Sequence, residues 1–343
     1  MSPRTSPTAD GFRMPAEFGP HQACYVSWPC KAETWRGFDA EVKSAYVAVA
    51  TAIARFEPVI MLTPNHLVNE AKGRLGPGVR IEEMELDDSW IRDNGPTFVR
   101  SRDGKLAVVQ FGFNAWGNRF GPYSKDARVP EILAQRMSLP CYRAPIIAEG
   151  GAINVDGQGT LLTTESCLLN PNRNLGSSKE DVEEALKSFL GVSKVIWLRR
   201  GMVESQVDGH IDGIAAFVRP GTVLAAAVSK RSDPNFESFR ENRERLQNAT
   251  DAHGRSLEVI DLPFPTQRRH EGHSIPASYG NFYIANGGIV APTFGDPSDE
   301  PALAVLRRAF PEREVVGVRS EYIALGGGEI HCITQQLPVA SPS

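Results

Sequence analysis

Cys332 ends the stretch Gly326-Gly327-Gly328-Glu329-Ile330-His331-Cys332, a glycine triplet followed by an apolar-alternating run. Three consecutive glycines bury no side chain, so they answer a backbone need: positive φ or close approach to something bound. A thiol set where such a turn meets a strand, here expected over 330–337, is placed to face a pocket. Free cysteine is also among the most buried residue types, so alone this thiol reads equally well as core. What singles it out is the chemistry available elsewhere: Trp90, Arg92 and Asp93, then Glu149 ahead of two glycines, then His210 and Asp212. Two apart on a strand, His210 and Asp212 would point to one face. A thiolate nucleophile, an imidazole acid/base and several carboxylates suit attack on a cationic, planar carbon. Carboxylates hold a guanidinium through paired, charge-assisted hydrogen bonds. They oppose an anionic tetrahedral intermediate, so protease or esterase chemistry fits badly. Taken singly, each residue has a bland reading: Asp-Gly and Glu-Gly as turn chemistry, His210 as a structural histidine.

The elements that must position these residues alternate along the chain. Apolar patterning predicts strands at 23–28, 58–62 and 79–84 around helices at 38–56 and 66–74. Strands at 97–100 and 106–111 follow, then the polar and aromatic loop 112–117 and a helix at 129–137. A short strand, 146–148, leads to Glu149, with strands at 152–155 and 160–164 and a helix at 178–190 capped by Ser177 or Ser178. After the strand 194–198 come His210, strands at 214–218 and 223–226, a helix at 234–250 and a strand at 257–260. The corner 281–290, a helix at 301–310 and a strand at 315–318 lead back to the glycine triplet. A polar-plus-glycine corner thus opens a strand pair five times, near residues 93, 149, 210, 286 and 332. Five α/β units that each send one corner to a common end suggest a radial repeat about an axis. A doubly wound sheet is the competing architecture, but neither G-x-G-x-x-G after a strand nor a Walker A sequence occurs.

Composition narrows the class. The 343 residues suffice for one large core, read here as a single catalytic domain with flexible ends at 1–13 and 339–343. A net charge of −4 without basic or acidic blocks argues against nucleic acid or an anionic membrane surface as partner. Five cysteines, none in a C-x-x-C pair, indicate neither a disulfide framework nor a cysteine zinc site. No apolar run approaches the ~18 residues of a membrane span, and no signal-peptide core is present. The expected compartment is the cytoplasm. An assembly of identical chains stays open.

The chain resembles the agmatine deiminases of the guanidine-modifying superfamily, which also holds arginine deiminases and bacterial peptidylarginine deiminases. The matching stretches are WIRDNGPTFV (90–99), FGFNAWG (111–117), EGGAINVDGQGTLLTTESCLLNPNRN (149–174), GHIDG (209–213), PASYGNFYIANGGIVAPTFGD (276–296) and GGGEIHCITQQLP (326–338). They run from about Met14 to Pro338. The resemblance implies a five-bladed α/β propeller with pseudo-fivefold symmetry, built from ββαβ-type units. It implies Cys332 as nucleophile and His210 as general acid/base. Asp93, Glu149 and Asp212 would be the carboxylates around the guanidinium and His210, and Trp90 the wall along the substrate's methylene chain. Trp116, Gln206, Asp208 and Gly328 complete the substrate-binding set. The partner implied is a small cationic guanidino compound, attacked through a covalent thiouronium with no metal or organic cofactor. With agmatine the product is N-carbamoylputrescine, placing the reaction in polyamine metabolism.

One position departs from the family. The acidic residue expected four positions before His210, to hold agmatine's distal ammonium, is Gln206, and Asp208 stands where asparagine is usual. A neutral amide accepts a hydrogen bond but carries no full charge. Glu204 or Asp208 could compensate, or the substrate could differ at its far end: another small guanidino compound or peptidyl-arginine. An amidinotransferase would use the same residues and deliver the amidine to an amine. A metal hydrolase at His270-Glu271-Gly272-His273 is disfavoured, because the glycine and the preceding Pro/Arg-rich loop oppose the helix such motifs need. A non-catalytic binding protein is the alternative from a different class.

Overall fold

The computed structural model describes residues 6–340. It is a mixed α/β structure in which one strand pattern occurs five times. Two strands pair antiparallel, and a third, reached through a crossover helix, lies parallel to the second. Thr97–Ser101, Leu106–Gly112 and Cys141–Ile147 form one such unit, with the helix Val129–Arg136 in the crossover. Asn154–Val155, Thr160–Thr164 and Lys194–Leu198 form the next, around the helix Lys179–Leu190. Ala215–Arg219, Thr222–Ala227 and Glu258–Pro263 follow with the helix Phe236–Asn248. Tyr283–Ala285, Gly288–Thr293 and Glu314–Arg319 follow with the helix Asp299–Ala309. The remaining unit joins the chain's two ends. Thr334–Pro338 pairs antiparallel with His21–Ser27, which runs parallel to Val59–Thr63, itself parallel to Val79–Glu83. The helix Asp39–Ala54 makes the first of those crossovers.

Local chemistry explains these elements. The middle strands Val59–Thr63, Thr222–Ala227 and Gly288–Thr293 read as apolar or small runs, and Val59–Thr63 is buried throughout. Asp39–Ala54 buries Val42, Tyr46, Val49 and Ile53, the three- and four-residue spacing of one helical face. Lys179–Leu190 opens with a full capping box, in which Ser178 and Asp181 each accept from the other's backbone N–H, and ends at Gly191 in the left-handed region.

Four expectations are corrected. The strand expected over 330–337 begins only at Thr334; 330–333 is a turn, tied by the Thr334 hydroxyl donating to the Ile330 carbonyl at 3.0 Å. His210 and Asp212 sit not on a strand but at a 3₁₀ turn, Ile211–Gly213. The strand expected at 146–148 is the longer Cys141–Ile147, whose alternation the sequence hides because this outer strand is half-exposed. Of the ends expected to be flexible, residues 1–5 and 341–343 lie outside the described residues. Phe12–Arg13, however, pairs with Thr97–Ser101, and Thr8 donates to the Ser188 carbonyl at 3.3 Å. Burial of Phe12 holds that segment down, an apolar anchor in an otherwise polar stretch.

Candidate active site

The catalytic candidates come from the corners, all outside regular strands. Trp90 precedes the single helical turn Ile91–Asn94, which carries Asp93. Glu149 precedes the 3₁₀ turn Gly150–Ala152, and His210 precedes Ile211–Gly213. Cys332 occupies the turn after the glycine triplet, where its backbone N–H donates to Asn281 Oδ1 at 3.2 Å. Backbone without side chains lets these corners meet. A Cβ on Gly151 would lie 2.6 Å from His210 Nδ1, 2.8 Å from Asp93 Oδ1 and 2.9 Å from Asp212 Oδ2, inside van der Waals contact with three functional groups at once. A Cβ on Gly328 would lie 2.6 Å from the Trp90 ring and 3.0 Å from Cys332 Sγ.

Between these glycines the charges are closely linked. His210 Nδ1 is 3.7 Å from Asp93 Oδ1, and its Nε2 is 3.6 Å from Glu149 Oε2. Asp93 accepts from the Gly151 N–H at 2.9 Å and the Trp116 indole N–H at 2.8 Å. Glu149 accepts from Arg173 Nε at 2.6 Å, a pair with no solvent exposure on either side chain. Cys332 Sγ is 3.4 Å from Asn281 Oδ1 and 3.6 Å from Asp212 Oδ2. That same Asp212 oxygen lies 2.9 Å from His331 Nδ1, and the other ring nitrogen of His331 lies 2.9 Å from Glu17 Oε2.

The fields follow from this arrangement. Burial, then Asp212 and Asp93, push the Cys332 thiol well above its ordinary pKa, so the free site holds S–H. Burial would lower the His210 pKa, but Asp93 foremost, then Cys167 and Glu149, raise it well above the ordinary value and keep the ring protonated. Burial raises Asp93. Glu149 is lowered against its burial by His210 and Arg173, and Asp212 against its burial by His331, His210 and Arg92.

The thiol and His210 open onto a cavity of about 240 Å³ whose walls include Trp90, Asp93, Trp116, Gln206 and Gly328. Such a volume suits a small molecule. Seven of the ten expected site residues line it: Cys332, His210, Asp93, Trp90, Trp116, Gln206 and Gly328. Asp212 and Glu149 stand behind the first two, in contact with them. Asp208 does not face the cavity. Its carboxylate is taken by Arg119 at 2.5 Å, Asn172 at 2.9 Å and Arg173 at 3.0 Å. Glu204 is engaged with Arg268 at 3.0 Å and accepts from Asn235 at 2.9 Å, so neither acid compensates for Gln206. Besides Asp93, the carboxylates on the cavity wall are Glu33 and Asp88, with Lys31 and Arg36 also lining it. His270 and His273 lie on a two-stranded hairpin, not a helix.

Sequence reasoning missed Asn281, His331 and Arg173. His331 adjoins the nucleophile, and Arg173 lies within the quoted 149–174 stretch, so position marked both without revealing their partners. At the fourth corner Asn281 reaches the thiol, whereas Asn286 bonds the His21 backbone and Glu57.

A family model described as Porphyromonas-type peptidyl-arginine deiminase matches residues 13–338. The agmatine deiminase of Pseudomonas aeruginosa is 43% identical over 98% of this chain and 98% of its own. A solved structure of the agmatine deiminase of Enterococcus faecalis, described as catalysing its reaction, superposes with a TM-score of 0.95 at 36% identity, covering 98% of both chains. A substrate-bound cysteine-to-serine variant of C. jejuni agmatine deiminase superposes at 0.88 with 26% identity, over 96% of this chain and 97% of that one.

Proposed function

We propose, from the premise that the chain belongs to the Porphyromonas-type peptidyl-arginine deiminase family, that it hydrolyses agmatine to N-carbamoylputrescine and ammonia. The observation that carries this reading is the convergence of Cys332, His210 and Asp93 on one small cavity, with Asp212 directly behind the thiol. The identity to agmatine deiminases over nearly the whole chain supplies the substrate. The reaction class is hydrolysis of a C–N bond in a linear amidine.

The guanidinium enters past Trp90 and Trp116 and adds a positive charge beside Asp93 and Asp212. This offsets the carboxylate field that holds the proton on Cys332, so the S–H proton leaves to solvent as the cation arrives. The thiolate attacks the guanidinium carbon, and the C–S bond forms as the cation's charge is quenched. Protonated His210 gives its proton to the departing nitrogen, ammonia leaves, and a cationic thiouronium remains on Cys332. Neutral His210 then takes a proton from water as its oxygen bonds to carbon. Collapse of this second adduct breaks the C–S bond, the sulfur takes the hydroxyl proton, and the ureido product departs. Asp93 and Asp212 favour the cationic species on both sides of each adduct.

The five antiparallel-then-parallel units, whose corners converge on the surroundings of Cys332 and His210, support the finer architecture of a five-bladed propeller with pseudo-fivefold symmetry. Five scattered cysteines with no C-x-x-C pair among them support a reducing compartment, the cytoplasm; among the described residues no helix is long and apolar enough to cross a membrane. A second reading, another small guanidino substrate, is favoured by one observation: Gln206 rather than an acid on the cavity wall.

The test is ureido-product and ammonia formation from agmatine, arginine, guanidinobutyrate, methylguanidines and an arginyl peptide, wild type beside Cys332→Ala. Agmatine should be turned over best, and the variant should lose on the order of 10³-fold or more, as removal of a nucleophile does. Turnover confined to another guanidine keeps the mechanism and moves the substrate. Substantial hydrolysis by the variant sinks the scheme.

A further inference from the structure

We propose that Glu149, Cys167 and His210 form a buried site for a thiophilic divalent cation, Zn²⁺ foremost, and that its occupation inhibits the enzyme. His210 turns Nδ1 toward Asp93, 3.7 Å away, the side from which it would serve the substrate. The opposite face leads elsewhere. There Nε2 is buried, has no hydrogen-bond partner among the described residues, and looks toward Glu149 Oε2 at 3.6 Å. Cys167, fully buried, is 4.0 Å from that same oxygen through its sulfur. Among the described residues this is the group of His, Cys and carboxylate ligand atoms, all within 4.8 Å of one another, that could hold an ion.

The spacing fits zinc. Zinc bonds of ~2.0–2.1 Å to nitrogen, ~2.0–2.2 Å to oxygen and ~2.3 Å to sulfur give tetrahedron edges of about 3.4 Å for N···O and about 3.6 Å for S···O. The two measured separations exceed these by only a few tenths of an ångström. One thiolate, one imidazole and one carboxylate select zinc over calcium or magnesium, which prefer oxygen. Arg173 occupies the other oxygen of Glu149 and orients the carboxylate, while Oε2, which accepts from the Cys167 thiol, can ligate once that thiol gives up its proton. The exchange balances: Zn²⁺ enters, and the S–H proton of Cys167 and the Nε2 proton of His210 leave to solvent. Buried charge is then unchanged. A three-ligand set leaves a fourth position for water. His210, though buried, lines the substrate cavity, so the site lies directly behind that cavity's wall.

Inhibition follows because, with Nε2 held by the metal and its proton gone, giving up the remaining Nδ1 proton would leave an imidazolate, so His210 becomes far too weak an acid to protonate the leaving ammonia. That consequence rests on the deiminase reading; the binding itself does not.

Metal-free wild type, Cys332→Ser and Cys167→Ser are titrated with Co²⁺, and Zn²⁺ is then added. Thiolate-to-cobalt charge-transfer absorption should develop with one equivalent in wild type and Cys332→Ser, be absent in Cys167→Ser, and be erased by Zn²⁺. In agmatine turnover, the inhibitory Zn²⁺ concentration should rise in Cys167→Ser by no less than the roughly 10–100-fold that outer-shell losses cost. Absorption kept in Cys167→Ser and lost in Cys332→Ser would place the ion on the nucleophile and overturn the proposal, as would no absorption in Cys332→Ser. If Cys167→Ser does not fold, Cys167→Ala gives the same reading. Because Cys332→Ser needs no turnover, failure to bind metal and failure of the deiminase reading are separate results.

Discussion

Cys332 illustrates how a functional residue can look unfit in isolation. Its thiol is buried against two carboxylates, which raises its pKa, although the scheme needs a thiolate. The substrate resolves this, because its cation arrives exactly where the opposing charge lies. The sign is explicit: with the folded-state pKa raised above the ordinary 9.0, thiolate is scarce at neutral pH and accumulates as pH rises. Alkylation of the free protein by iodoacetamide should therefore still be accelerating above pH 9; a rate already level by pH 8 would mean a resident thiolate. Gln206 and Asp208 separate binding from stability in the same way. Gln206→Glu should lower the KM for agmatine by up to roughly fivefold, the effect of a partly exposed ion pair worth ~1 kcal/mol. Asp208→Asn should leave KM nearly unchanged and lower Tm, because buried Arg173 loses a charged partner at about 1–3 kcal/mol. A KM rise in Asp208→Asn with Tm intact would return Asp208 to the substrate site.

The corners are elements in their own right, and their glycines matter as much as their acids. Gly151→Ala should reduce kcat on the order of 10²-fold, since a methyl group 2.6–2.9 Å from three functional atoms displaces them by the small distances that misalign attack. Ser178→Ala is the contrasting case. It removes one half of a capping box far from the thiol, so about 1 kcal/mol of stability should go while kcat and KM hold. Thermal melts beside steady-state kinetics check both. A Gly151→Ala enzyme with wild-type kcat would mean that the backbone relaxes there. Elements such as 160–164 and 194–198 were legible to the residue, because each is a short apolar and β-branched run set off by a glycine- or serine-containing turn. The turn at 330–333 was not, because Ile330 and Cys332, two apart around His331, read as one face of a strand, and only the Thr334 hydrogen bonds show otherwise.

At the scale of the whole molecule the two chain ends share one sheet, Thr334–Pro338 lying against His21–Ser27, so the nucleophile's turn is anchored by the closure of the fold. Glu329 directly precedes that turn, buried, with no hydrogen-bond partner for either carboxyl oxygen among the described residues. Burial raises its pKa well above the ordinary 4.5. A raised carboxyl binds more protons folded than unfolded once pH exceeds 4.5, so its contribution to stability is full below that value and is lost as pH rises toward the folded pKa. Glu329→Gln should thus match or fall slightly below wild type at pH 4 and exceed it at pH 8 in denaturant unfolding. An identical pH slope in both proteins would show that Glu329 finds a partner when folded.

The amino-acid sequence by itself determined the alternation of strands and helices, the five polar-plus-glycine corners, and the residue types of the chemistry, since each is written in local period and composition. Its motifs also carried the likeness that assigned roles to Cys332 and His210. Tertiary structure alone decided which side of each group faces what. It turned Asp208 and Glu204 away from the cavity into ion pairs, joined Asn281 and His331 to the nucleophile's surroundings, and set Cys167 behind His210. The physical reason is that a hydrogen bond between residues 51 or 120 positions apart leaves no period in the chain. Distance and direction at the site exist only once the five corners have been brought together.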